Sequence, residues 1–177
     1  ATGRLTFEDA MTELLQHHGR SGHHRRVVEK RIAIQADCFR HLHPGILPLL
    51  SALRERGIRI GLITNCFSEE ATLIRESALF PCFDAHCLSW EEGVRKPDPA
   101  IYRTCLRRLG IAPENCLYVG DGGSFELETA RSLGIQAVQA TWYRQAAFEH
   151  KQAALRPDFP QLSDPMEVLD FLKGECL

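Results

Sequence analysis

Hydrophobic positions change their rhythm near residue 43 of the chain. Before it, Phe7, Met11, Leu14 and Leu15 recur at helical spacing behind Thr6 and Asp9, a pair placed to form a capping box. Gly19 to His24 reads as a turn, and Val27, Val28, Ile32 and Phe39 mark a second amphipathic helix. After Pro44, Ile46, Leu47, Leu50 and Leu53 predict a helix that stops at Gly57. IRIGLI (58–63) is then a short apolar run between turn residues, the pattern of a buried parallel strand. The alternation continues with helix near 68–79, strand near 83–88, helix 98–109, strand 116–119, helix 124–133 and strand 135–140. A last short strand is expected near 158–162, before a helix begun by Asp164-Pro165 as cap and first residue. Such alternation implies an α/β fold, a Rossmann-like three-layer arrangement with a parallel sheet and helices on both faces. Residues 1–43 form a helical piece and 44–177 the doubly wound piece.

Composition narrows the function classes. Apolar residues make up 44% of the 177, enough for a sizeable core in one domain. A formal charge of -2 supplies no long-range pull toward nucleic acid or anionic membrane. Every apolar stretch is broken within about ten residues, too short to span a bilayer. The seven cysteines are odd in number and include no C-x-x-C pair. Buried free thiols in a reducing cytoplasm fit that pattern better than a disulfide framework. The sequence opens at Ala1 with neither a methionine nor a signal-peptide pattern, which suggests a start within a longer coding sequence or after processing.

Ligands of open α/β sheets bind at the carboxyl ends of the strands. Three polar groups fall there. Thr64-Asn65 follows IRIGLI, where a hydroxyl and the amides opening the next helix suit a phosphoryl oxygen, or merely cap the turn. Lys96 lies in GVRKPDP, a turn stiffened by Pro97 and Pro99, with Asp98 placed to cap the following helix. A lysine so held can aim its charge at an anion, whereas its neighbour Arg95 reads as solvated. Asp121 and Glu126 flank the Gly122-Gly123-Ser124 turn after LYVG. They can share a hard cation such as Mg2+, or serve only as cap and first-turn acid. Taken together, hydroxyl, lysine and acid pair form the parts list for phosphoryl transfer.

The sequence resembles the haloacid dehalogenase superfamily over about residues 44–172. The likeness runs through HPGILPLLSALRERGIRIGLITN, FDAHCLSWEEGVRKPDPAIYRTCLRRLGI and ENCLYVGDGGSFELETARSLGI. It implies that Thr64 binds the phosphoryl group, that Lys96 stabilises its charge and the nucleophile, and that Asp121 and Glu126 help hold Mg2+. Glu126 stands where many members carry Asp. Residues 1–43 then resemble the rear part of a helical cap that closes the site and selects substrate. Its paired histidines (His17-His18, His23-His24, His41 and His43) read as solvated surface, since no cysteine or acid completes a zinc set.

Family enzymes begin with a strand ending in D-x-D, whose first Asp is the covalent nucleophile. No D-x-D occurs in this sequence; Asp9, Asp37 and Asp84 lack both the partner and the preceding strand. The resemblance places the missing strand centrally, between those carrying Thr64 and Asp121. The expectation is an Mg2+-dependent phosphatase acting on a small phosphomonoester through an aspartyl-phosphate, with its first strand upstream of Ala1 and this chain inactive alone. The other readings are a non-catalytic phosphate- or partner-binding remnant, a chain completed by another that supplies the strand, and haloacid dehalogenase chemistry. The last is disfavoured by the acidic pair.

Overall fold

The structure, a computed structural model, describes residues 2–3, 5–144 and 154–174. Cys176, counted above among the cysteines, lies outside the described residues; the other six are free thiols. The elements run α1 (Phe7–His17), α2 (His24–Arg40), α3 (Ile46–Glu55), β1 (Gly61–Thr64), α4 (Ser68–Glu76), β2 (Ala85–Leu88) and α5 (Ser89–Glu92). Then come α6 (Pro99–Leu109), β3 (Leu117–Gly120), α7 (Glu126–Ser132), β4 (Gln136–Ala140), β5 (Gln161–Leu162) and α8 (Glu167–Lys173). All strand pairings are parallel, with β1 beside β2 and a second set ordered β3-β4-β5.

Local chemistry accounts for most boundaries. Thr6 and Asp9 form the capping box of α1. Asp98 caps α6 by accepting from the Ala100 N–H at 2.9 Å, with Pro99 in the first turn, and Gly110 ends the helix at φ 64°. Several boundaries differ from the sequence expectation, among them the start of α8, which lies at Glu167 behind Met166 rather than at Asp164-Pro165. Strand β1 begins at Gly61 rather than residue 58, because Ile60 is tied to Asp84 by bonds to its side chain and backbone ahead of the ladder. Helix α4 stops at Glu76, and a separate 3-10 turn at Phe80–Cys82 takes up the Pro81 segment. Helix α7 begins only at Glu126, because Ser124 and Phe125 are left-handed at φ 54° and 51°.

One helical layer packs against strands of both sets, the other against β3, β4 and β5 and the residue ahead of β1. On one face α6 and α7 bury Ile101, Tyr102, Cys105, Leu127 and Ala130 against Ala85, Cys87 and Ile63 and also against Ala137 and Tyr118. On the other, Leu49 and Leu53 of α3 and Val168 and Leu169 of α8 cover Ile60, Leu117, Val138 and Leu162. Each of β1 and β3 has one strand partner among the described residues, so each leaves one edge unpaired.

Helices α1 and α2 dock on α4 through Arg31. Its guanidinium lies 4.5 Å over the Phe7 ring and 5.8 Å from that of Phe67, and it pairs with Glu69 and Glu70 at 3.2 and 2.8 Å. None of the residues of α2 is fully buried, and Leu14, Ile32 and Ile34 remain exposed. No described helix is long and apolar enough to cross a membrane.

Candidate functional site

Thr64 is the last residue of β1, and Asp121 directly follows β3. Both stand at the carboxyl ends of parallel strands, where loop amides and side chains are free to face a ligand. The Thr64 hydroxyl has no hydrogen-bond partner among the described residues. Asp121 is exposed; its Oδ1 accepts from the Gly123 N–H at 2.8 Å, which leaves the second oxygen available.

Asn65 joins the first group to the second. Its Nδ2 donates to the Lys96 carbonyl at 3.0 Å, and its Oδ1 accepts from the Lys96 N–H at 2.8 Å. The side-chain amide, expected at the phosphate, is thus spent on fixing the lysine backbone. Only its own N–H remains to meet an anion. The Lys96–Pro97 peptide is cis. Arg95, expected to be solvated, is exposed.

Lys96 joins the second group to the third. Its Nζ is 2.5 Å from Glu126 Oε2, and the two side chains are 15% and 4% exposed. Glu126 takes two further donors, the Tyr118 hydroxyl on Oε2 at 2.9 Å and the Gly122 N–H on Oε1 at 3.1 Å. Gly120 makes room for that carboxylate, since a Cβ there would overlap Glu126 Oε1. Burial among Glu126 and Tyr102 pushes the Tyr118 phenol far above its ordinary range, so it stays a donor.

Both Glu126 oxygens are thus engaged within the protein. The left-handed Ser124-Phe125 step starts α7 late, and the carboxylate meets Lys96, Tyr118 and Gly122. Magnesium keeps several waters and often binds one or two carboxylates plus a substrate phosphate. Asp121 with its available oxygen fits such a site. Among the described residues no group of three His, Cys, Asp or Glu could enclose a metal alone. Among the described residues, His24 bonds Thr12, His41 meets Asp37, and His43 accepts from Gly45.

Tyr118, Gln139 and Arg156 belong to this region without having been expected from sequence. Gln139 carried one signal, a polar residue within the apolar strand QAVQA; Tyr118 and Arg156 carried none. Arg156 lies far along the chain from every motif.

Residues 2–134 match the family model of haloacid dehalogenase-like hydrolases. The chain is similar to glyceraldehyde 3-phosphate phosphatase of Methanopyrus kandleri, 32% identical over 133 residues, covering 74% of this chain and 56% of that protein. It is likewise 31% identical over 130 residues to phosphoserine phosphatase of Thermus thermophilus, covering 73% of this chain and 48% of the relative. The chain thus spans about half the length of these curated relatives. Among solved structures, a HAD phosphatase from Thermococcus onnurineus superposes with a TM-score of 0.63 at 25% identity, over 77% of this chain and 60% of that one.

Proposed function

Since the chain belongs to the haloacid dehalogenase-like hydrolase family, we propose that it is part of a Mg2+-dependent phosphatase acting on a small phosphomonoester. One observation carries the reading: Asn65 is bonded to Lys96 and Lys96 to Glu126, so the three strand-end groups form one continuous cluster. In this reading residues 1–43 are part of a helical cap and residues 44–177 the α/β core. The named relatives act on phosphorylated small molecules, which supports the substrate class. Six free thiols among the described residues fit a reducing compartment, and we place the protein in the cytoplasm.

The Thr64 hydroxyl and the Asn65 N–H bind the phosphoryl oxygens; the next two N–H groups are already given to Ser89 and Glu70. Lys96, held at its backbone by Asn65 and at its tip by Glu126, offsets charge that grows on the transferring group. Asp121 holds Mg2+, which when bound neutralises phosphate charge and orients the oxygens. Glu126 acts as counter-ion to Lys96 and keeps the ammonium in place. The nucleophilic Asp comes from a strand that is not in this sequence and that inserts between the unpaired edges of β1 and β3. The dehalogenase alternative finds less support, because the named relatives are phosphatases.

The test is phosphate release by the full protein from small phosphomonoesters, with Mg2+ or with chelator. Metal-dependent turnover that Asp121→Asn abolishes is the expected result; Asp121→Asn with unchanged kinetics removes the metal assignment. Lys96→Ala should lower turnover by about 100-fold or more. An in-frame apolar strand ending in D-x-D upstream of the Ala1 codon would supply the nucleophile. Tight phosphate binding without turnover would favour the non-catalytic reading instead.

A further inference from the structure

The Asp121 carboxylate hangs on a loop whose backbone is gripped by a buried amide from a neighbouring strand. Gln139 in β4 is 0% exposed, on a strand otherwise buried through Ala137 and Val138. A buried amide is costly unless its hydrogen bonds are made, and here all its strong groups are used. Nε2 donates to the Asp121 carbonyl at 2.8 Å and to the Ala154 carbonyl at 2.9 Å. Oε1 accepts from the Arg156 N–H at 2.8 Å.

Arg156 continues the grip by one residue. Its Nη2 donates to the Gly122 carbonyl at 3.1 Å, and its guanidinium lies 5.5 Å from the Phe125 ring. Two successive carbonyls, those of Asp121 and Gly122, are therefore tied to Gln139 and Arg156. The turn is fitted to this anchor. Gly122 has φ 89°, and a Cβ on it would stand 2.9 Å from Gln139 Nε2. The following Ser124 and Phe125 are left-handed non-glycine residues, which cost roughly 1–2 kcal/mol each and persist only where surroundings fix them. Core packing alone asks only for an apolar side chain at position 139. The amide adds control over the direction in which the Asp121 peptide unit faces.

We infer that Gln139 and Arg156 are positioning residues for the cation site: they set the orientation of Asp121 and make the 154–156 segment part of that site. The inference rests on the reading of Asp121 as the Mg2+ ligand. Neither residue touches the reacting atoms. Their effect passes through the backbone of the aspartate, as supporting hydrogen bonds commonly do for metal ligands.

The test is Mn2+ binding, by paramagnetic resonance and calorimetry, to the full protein and its Asp121→Asn, Gln139→Met, Gln139→Glu and Arg156→Gln variants. Each is measured at one fixed interval below its own melting temperature. Gln139→Met should weaken Mn2+ binding by about 10- to 100-fold, with metal-free affinity for inorganic phosphate unchanged. Gln139→Glu keeps the shape and the acceptor for the Arg156 N–H but loses the donor to Asp121, and should match Gln139→Met. Arg156→Gln, on the less buried anchor, should lose about threefold or more within the same scale. Wild-type Mn2+ affinity in Gln139→Met overturns the inference. Should neither Gln139 variant fold, unchanged affinity in Arg156→Gln overturns it equally. Binding that Asp121→Asn abolishes while the other variants retain it sinks this inference alone; no binding in the wild type sinks the Asp121 reading and this inference with it.

Discussion

Replacing Lys96 by methionine would leave Glu126 as a carboxylate buried without its cation. The lysine and glutamate side chains are 15% and 4% exposed, so water cannot substitute for the lost ammonium. Removing one partner of a buried ion pair costs about 3–5 kcal/mol. Glu126 would keep the Tyr118 hydroxyl and the Gly122 N–H, at 2.9 and 3.1 Å, which puts the expectation at the lower end. For a chain of this size about 1 kcal/mol shifts the melting temperature by about 2–4 °C, so a loss of about 3 kcal/mol is a fall of about 6–12 °C. Glu126→Gln in the same background removes the stranded charge and should recover most of that fall. The assay is thermal unfolding of the full protein by calorimetry for wild type, both single variants and the double. Lys96→Met with an unchanged melting temperature, or a double variant no better than Lys96→Met, would refute the ion pair as a stabilising unit.

Arg31→Ala should loosen the helical piece while sparing the sheet: hydrogen exchange should rise across α1 and α2 and stay level in β3 and β4, and an even rise everywhere would contradict the docking role. The Tyr118 phenol is held above its ordinary 10.0 by burial and by Glu126 and Tyr102. A raised value in the folded state contributes stability in full below about pH 10, which is lost as pH climbs above it. Tyr118→Phe should therefore be less stable than wild type near neutrality, and the gap should narrow in urea titrations above pH 10; a constant gap argues against it. Changing His17, His18 and His23 together to glutamine should leave phosphate release within about twofold, since exposed substitutions shift stability by roughly 0.5 kcal/mol or less. A large loss would revive a metal role for these histidines.

Local pattern determined a great deal here. The apolar run at IRIGLI, the Asp98-Pro99 start of α6 and the Thr6–Asp9 box each settle on short-range sterics and hydrogen bonding, so the order of helices and strands was legible. That Thr64 ends a strand and Asp121 follows one was legible too, since each is marked by the apolar run that precedes it. Tertiary structure alone decided what those side chains bond. Sequence put Asn65 at the phosphate and Glu126 beside Asp121, yet Asn65 clamps the Lys96 backbone and Glu126 neutralises the lysine. Both contacts join residues about 30 positions apart, at distances that only the assembled strand ends fix. Gln139 and Arg156 illustrate the same limit. A buried amide is recognisable as unusual in a strand, but which carbonyls satisfy it depends on the Asp121 loop and the 154–156 segment arriving at one place. Hydrogen bonding demands partners, and only the folded chain names them.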